Sequence, residues 1–246
     1  NIMLKSPYAA EVASIAAEQK VPVLTTGAGS PVKFMKMWLD AGIKVIPVVP
    51  STAVAKLVER SGACAVVAEG GESGGHIGEL STMALVPQVV DAVGIPVIAA
   101  GGIANGRGFA AALMLGAVGA QLGTRFLVAR ECRIHPNYKK RILKARDIDT
   151  ITTGKRLGHP VRSLKTPFSL DYFAKEYDST ISNDELEALG LGTLRLAVVE
   201  GDEQNGCFLA GQAAAMVNQE QTAQEIIVDL MKDTEKVLAG AGKWLK

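Results

Sequence analysis

Three cysteines in 246 residues (Cys64, Cys132 and Cys207) are too few and too scattered for a disulfide framework or a zinc knuckle. The odd count fits reduced thiols and a cytoplasmic setting, and none of the three is given a role. Excess charge is missing as well. Lys and Arg number 26 against 25 Asp and Glu, a net charge of +1, so no global field gathers nucleic acid or an anionic membrane. Long apolar runs are also absent: stretches such as Ile95 to Ala100 fall well short of a bilayer span, and the amino terminus lacks the profile of a signal peptide. No histidine or carboxylate spacing marks a metal site. The chain opens on Asn1 directly inside the apolar Ile2-Met3-Leu4, which reads as a fragment or a trimmed start. What is present is ample core material. With 48% hydrophobic residues, 21% charged and a mean hydropathy of +0.20, the chain is globular and long enough for one large α/β domain.

Apolar runs bounded by Gly and Pro recur regularly: Asn1 to Leu4, Val21 to Thr26, Val45 to Val49, Ala63 to Glu69, Ile95 to Ala100 and Ala120 to Leu127. They are rich in β-branched residues and continuous, as in strands buried on both faces. Between them, Pro7 to Gln19, Pro31 to Ala41, Thr52 to Ser61, Thr82 to Val93 and Arg107 to Leu115 carry helix-length patterns. Alternating strands and helices imply parallel pairing with right-handed crossovers, which leaves a doubly wound sheet or a TIM-type (β/α)8 barrel. Six strands starting at residue 1 fit a barrel whose first two βα units lie outside this chain. The expected division is a barrel part over residues 1–130, a helical insertion or lid over 131–205, and closing helices over 206–246, in the segments Gly206 to Asn218 and Gln221 to Leu238.

In such folds ligands bind beyond the carboxyl ends of the strands. Those positions are glycine-rich here: Thr26-Gly27-Ala28-Gly29, Glu69 to His76, Ala100-Gly101-Gly102-Ile103 and Gly123-Thr124-Arg125. The pair Gly101-Gly102 joins a strand to an alanine-rich helix, so its amides can face an anion with no Cβ in the way, and the helix start adds partial positive charge. Gly123-Thr124 would add N–H groups and a hydroxyl to the same phosphate. The plainer alternative is that both glycine pairs only permit tight turns. Gly27-Ala28-Gly29 fails the dinucleotide pattern because Val32 stands where a third glycine belongs, and Thr153-Gly154-Lys155 lacks the glycine spacing of a P-loop. His76, flanked by Gly74, Gly75 and Gly78 near Glu69 and Glu72, is the candidate acid or base, against the bland reading of a structural hydrogen-bonder. His135 and His159, beside prolines, read as turn or cap residues. Arg130 to Arg146 holds seven basic residues and one acid, either a patch that steers an acidic partner or a solvated helix face.

Three of these segments carry a family resemblance. Ala68 to Gly78 (AEGGESGGHIG), Ile95 to Ile103 (IPVIAAGGI) and Gln121 to Phe126 (QLGTRF) look like the FMN-binding barrel family that contains nitronate monooxygenases and the FMN-dependent enoyl-acyl-carrier-protein reductases. Glu69, Pro47-Val48-Val49-Pro50, His135-Pro136-Asn137-Tyr138 and Ala145-Arg146-Asp147 resemble the reductase branch. The resemblance implies FMN at the barrel mouth and NADH or NADPH as reductant. By motif, Asn1 and Glu69 would lie near the isoalloxazine, Gly74 and Gly75 would bound it, and Gly101, Gly102, Gln121, Gly123 and Thr124 would hold the ribityl phosphate. His76 would be the catalytic residue beside the substrate. The implied reaction is ping-pong reduction of trans-2-enoyl thioesters on an acyl carrier protein during fatty-acid elongation, and the resemblance also allows a monovalent cation and a homodimer. Two other readings stand beside it: a nitronate monooxygenase using FMN and oxygen, and a non-catalytic barrel that binds a phosphate ligand.

Overall fold

The computed structural model describes residues 1–244. From the amino terminus the elements are β1 (Ile2–Met3), α1 (Ala9–Glu18), β2 (Val23–Gly27), α2 (Val32–Asp40), β3 (Lys44–Val49), α3 (Thr52–Arg60) and β4 (Val66–Glu69). Then come β5 (Gly75–His76), α4 (Thr82–Ala92), β6 (Val97–Ala100), α5 (Gly106–Met114), β7 (Gly119–Gln121) and α6 (Thr124–Leu127). The last part holds α7 (Pro136–Leu143), β8 (Thr150–Thr153), β9 (Val161–Leu164), α8 (Pro167–Glu176), α9 (Asn183–Gly190), α10 (Thr193–Arg195) and α11 (Ala223–Ala239). A π-turn over Leu196–Glu200 and a 3-10 turn over Gln212–Met216 lie among them.

The chain forms two compact units. The first comprises Asn1–Gly71, Gly78–Ala100 and Ala112–Gln121, and the second Glu72–Ile77, Gly101–Ala111 and Leu122 onward. The first unit is a six-stranded, all-parallel sheet in the order β1-β2-β3-β4-β6-β7. Each strand pairs with its sequence neighbour in that sheet, and the order never reverses. Since right-handed crossovers between successive strands put every connecting helix on the same side, this is barrel-type winding and not the doubly wound alternative, which needs a reversal point. The burial pattern agrees. Leu24, Val45, Val49 and Val97 alternate with more exposed neighbours and are buried on the helix side, while in β4 Val66, Val67 and Ala68 are all buried. Trp38 of α2 is fully buried there, its indole N–H donating to Ala13 O at 3.0 Å. Ser51 caps α3 by accepting from Val54 N.

The other face of that sheet carries the alternate residues. Following the register from Asn1 beside Thr25 through Ile46, Val48, Val67, Glu69, Ala100 and Gln121 keeps to one side throughout. On this face Met3 is 47% and Val23 49% exposed.

The second unit is built on a three-stranded antiparallel sheet, β5-β9-β8, with a core of Tyr138, Ile142, Leu164 and Phe208. The Tyr138 and Phe208 rings lie 4.8 Å apart, and the phenol donates to Leu209 O at 2.7 Å. Burial pushes the Tyr138 hydroxyl far above its ordinary value, so it serves as a neutral donor. Thr166 opens α8 with a reciprocal cap to Ser169. At the other end of α8 the buried Glu176 carboxylate accepts from Gly154 N at 3.0 Å and Arg156 N at 2.7 Å, closing the β8–β9 hairpin. Elsewhere in this unit α11 packs on the start of α5, where a Cβ at Gly106 would fall 2.5 Å from Asp233 Cβ and Thr234 N.

Three expectations need correction. The apolar run Ala120 to Leu127 is not one strand: β7 ends at Gln121, and Gly123 caps the short helix α6. A run without alternation does not distinguish a buried strand from a buried helical turn. The insertion over 131–205 is not purely helical, since β8 and β9 cross it: β8 is a β-branched run of only four residues, and β9, Val161-Arg162-Ser163-Leu164, has one β-branched residue, so neither stands out. Gly206 to Asn218 forms no α-helix but an extended stretch bridged to Ser163 at Leu209, followed by the 3-10 turn.

Candidate cofactor site

Strand β6 runs straight into Gly101 and Gly102, whose φ angles of 98° and 72° lie in the left-handed region. Two such residues in succession form a turn that glycine alone adopts without strain. A Cβ on Gly102 would meet Glu72 Cβ at 3.4 Å, so this turn lies directly against the loop that leads to His76. That loop is in turn packed on Ala210-Gly211. Glu72 O accepts from Gln212 N at 2.9 Å, a Cβ on Gly211 would fall 2.5 Å from Glu72 O, and a Cβ on Gly74 would fall 2.6 Å from Ala210 C. Finally Gly211 N donates to Thr124 Oγ1 at 2.9 Å. Gly102, Glu72, Gly74, Gly211 and Thr124 are therefore one cluster, and four segments far apart in sequence converge within the second unit.

The free donors in this cluster decide what it can hold. Among the described residues the N–H groups of Gly102, Gly123 and Thr124 have no acceptor. An unpaired backbone donor is costly unless water or a ligand satisfies it, and three of them on glycine-rich turns make a concavity suited to an anion. Thr124 accepts from Gly211, which leaves its hydroxyl proton to be donated outward. A Cβ on Gly123 would meet nothing within 4 Å, so the backbone there faces open space. The residues present fit a phosphate-bearing ligand.

His76 lies on β5, exposed, paired with Val161 while Gly75 pairs with Arg162. Gly75, at φ 82°, makes the turn that delivers it. Ile77 N then donates to Pro160 O at 3.0 Å. Strand β9 and the tip of its hairpin thus fix the backbone on both sides of the imidazole. Desolvation holds the Arg162 guanidinium below the ordinary arginine range, and the Glu72 carboxylate counters it. Arg162 and Gly211 were not identifiable from sequence as site residues. The remaining candidates, Asn1, Glu69 and Gln121, belong to the first unit and share one face of the parallel sheet, where Thr25 Oγ1 donates to Asn1 Oδ1 at 3.1 Å.

Other motifs resolve into structure. Gly29 packs against Leu4, with a Cβ position 2.9 Å from Leu4 Cβ. Gly154 forms the hairpin turn, 2.5 Å from His159 O by the same measure. His135 caps α7, its Nδ1 accepting from Asn137 N at 3.1 Å. The basic stretch is partly neutralised, Lys139 by Glu220 at 3.0 Å, Arg141 by Glu203 at 2.8 Å and Arg146 by Asp149 at 3.0 Å.

A family model for nitronate monooxygenase matches residues 1–233. The chain belongs to the nitronate monooxygenase family. The structure of FabK from Thermotoga maritima superposes with a TM-score of 0.96 at 47% identity, over 99% of this chain and 78% of that one. A probable nitronate monooxygenase of Staphylococcus saprophyticus is 33% identical over 90% of this chain and 65% of its own length. A 5-hydroxy-7a-methyl-1-oxo-octahydro-1H-indene-4-carboxyl-CoA dehydrogenase of Rhodococcus jostii is 32% identical over 82% of this chain and 67% of its own. The chain thus spans about two-thirds of the length of these curated relatives. Among the described residues no helix is long and apolar enough to cross a membrane.

Proposed function

We propose that this chain is the flavin-binding part of an FMN-dependent reductase that uses NADH or NADPH to reduce trans-2-enoyl thioesters carried on acyl carrier protein. The observation that carries this reading is the gathering of three unpaired amides, of Gly102, Gly123 and Thr124, beside the loop that presents His76. Two likenesses support the choice of substrate. Glu69, Pro47-Val48-Val49-Pro50 and His135-Pro136-Asn137-Tyr138 resemble the reductase branch of the family, and the Rhodococcus relative is named as a dehydrogenase of a carboxyl-coenzyme A compound.

In this reading the turn Gly101-Gly102 and the start of α6 at Gly123-Thr124 hold the ribityl phosphate through backbone N–H groups and the Thr124 hydroxyl. That Gly74 and Gly75 bound the ring system is an assignment the family resemblance supports; the Cβ direction of Gly74 itself is taken up by Ala210 and Gly211. Asn1 and Glu69 at the ring, and Gln121 at the phosphate, are assignments that the family resemblance supports. When bound, FMN would supply the hydride-carrying chemistry between a reduced nicotinamide and an electron-poor carbon. His76 takes at least one of two roles: its imidazole N–H stabilises the negative charge gathering on the thioester oxygen, or it supplies the proton required at the α-carbon. Exposure of His76 on a strand anchored at both flanks suits either role.

His76→Ala is expected to retain FMN, seen as the visible absorption of oxidised flavin, and to lose about 10²- to 10⁴-fold in turnover. Undiminished reduction of crotonyl thioester by the variant would remove His76 from the mechanism. A second reading, oxidation of nitronates with FMN and oxygen, is favoured by the Staphylococcus relative. An anaerobic assay with NADH and crotonyl thioester separates the two, because only the reductase turns over without oxygen. A colourless purified protein that takes up no added FMN would leave only the phosphate-binding barrel.

A further inference from the structure

Helix α7 presents basic side chains that the proposed chemistry does not use. Two grooves border it. One, of about 480 Å³, is lined by Lys140, Arg141, Lys144, Arg146, Leu164 and Lys165 together with the carboxylates of Glu203 and Asp149. The other, of about 440 Å³, shares Lys140 and Lys144 and is walled by Ile134, Pro136 and Leu143. Arg141 and Arg146 are engaged by Glu203 and Asp149. Lys139 is turned inward, only 13% exposed, with Nζ donating to Ala129 O at 2.7 Å and Glu220 at 3.0 Å. It therefore drops out of any docking face. Lys140, Lys144 and Lys165 are exposed and make no ion pair among the described residues.

Lys140 and Lys144, which have no carboxylate partner, and Lys165, whose charge helps hold the Asp149 carboxyl low, stand beside an apolar furrow in a chain whose net charge is only +1. A small phosphate is held best by bidentate arginine forks or converging backbone amides, and here both arginines already have carboxylate partners. Exposed lysines flanking apolar walls instead match an amphipathic helix that carries carboxylates along one side. Strand β9 relates this face to the candidate site. Val161 pairs with His76, and Lys165 follows Leu164 at the far end of the strand, four residues on. At the rise of an extended strand that is about 13 Å, a distance a flexible tether covers.

We propose that this face docks a small acidic carrier protein, with a carboxylate-bearing helix along Lys140, Lys144 and Lys165, apolar side chains in the furrow of Ile134, Pro136 and Leu143, and the tethered thioester led along β9 to His76. The proposal rests on the enoyl-thioester reading above and names the partner surface for it. The test uses the flavin-loaded protein and the charge-reversed double variant Lys140→Glu/Lys144→Glu, with folding of the variant checked by circular dichroism. Binding of acyl carrier protein lacking any acyl group is followed by fluorescence anisotropy at two salt concentrations. Wild type should bind, more weakly at the higher salt, and the variant should lose at least about tenfold. In turnover assays the KM for crotonyl carrier protein should rise about tenfold at constant kcat, while crotonyl-coenzyme A kinetics stay unchanged. Equal effects on both substrates, unchanged carrier binding by the variant, or no carrier binding by wild type would overturn the proposal. Lysine-dependent carrier binding without reduction of either thioester would sink the reaction assignment and leave docking standing.

Discussion

Gly123 offers a test of the phosphate site in which the fold and the ligand respond differently. It precedes α6 with φ −105°, a conformation open to any residue, and a Cβ there has no heavy atom within 4 Å. Gly123→Ala should therefore cost the ligand-free protein less than about 1 kcal/mol, the usual difference between Gly and Ala at a helix N-cap, and shift Tm by no more than about 2–4 °C. The ligand should respond strongly. If a phosphate oxygen accepts from the Gly123 and Thr124 amides, the added methyl occupies the space the phosphate needs, and losing one charge-assisted hydrogen bond costs about 1.5–3 kcal/mol. That corresponds to a rise of about 10- to 150-fold in the Kd for FMN. The assay is titration of apoprotein with FMN by fluorescence quenching, repeated with riboflavin, which has the same ring and no phosphate. Riboflavin affinity should be equal in the two proteins. An unchanged Kd for FMN refutes the placement of the phosphate, and a large drop in the Tm of the apoprotein refutes the claim that the space beside Gly123 is open. Gly74→Ala is the contrasting case: its Cβ would lie 2.6 Å from Ala210 C and 2.7 Å from Gly211 N. Backbone cannot yield there as a flexible side chain would, so the fold itself should lose about 1–3 kcal/mol or more.

Three further predictions concern the second unit. Glu176→Ala strands the two hairpin amides bonded at 3.0 and 2.7 Å and should lower stability by about 2–4 kcal/mol in thermal unfolding, with Glu176→Gln in between because one amide oxygen accepts less well than a carboxylate. Burial pushes the Cys207 thiol up to about 11 from its ordinary 9.0. Below pH 9 folded and unfolded chains both keep that proton and stability is undiminished. Between pH 9 and 11 the unfolded thiol ionises first, so stability should fall by up to about 1.4 kcal/mol per pH unit, and Cys207→Ala should flatten that slope in urea melts. Phe208→Ala, at a fully buried ring in contact with Tyr138, should cost about 3–5 kcal/mol; a loss below about 1 kcal/mol would show that this core collapses around the gap.

The parallel sheet was legible because its strands carry their signal in their own residues. Lys44–Val49 and Val97–Ala100 are short, β-branched or small, and bounded by turn residues, so periodicity and punctuation locate them within two or three residues. The antiparallel sheet was not, because its strands are defined by their partners. β5 is two residues, Gly75–His76, with no propensity for extended structure, and it becomes a strand only by pairing with Val161 and Arg162 some 85 positions later. Pairing across that distance leaves no local pattern, and β-propensity is mostly a statement about neighbours.

The site divides along the same line. Gly101-Gly102 and Gly123-Thr124 stand out because a left-handed turn or a bare backbone demands glycine, and that demand is written at the position itself. Gly211 is under an equally strict demand, since Glu72 O would be 2.5 Å from its Cβ, yet the cause sits on a loop 139 residues earlier and Leu209-Ala210-Gly211-Gln212 shows nothing unusual by itself. Charge behaves likewise. Seven basic residues between Arg130 and Arg146 read as one patch, but Lys139, Arg141 and Arg146 are removed from it by Glu220, Glu203 and Asp149. Of the seven, Arg130, Arg133, Lys140 and Lys144 then remain, and only Lys140 and Lys144 line the groove, together with Lys165 from another element. A charge counts toward recognition only after its internal partners have been subtracted, and the partners are known only from the fold.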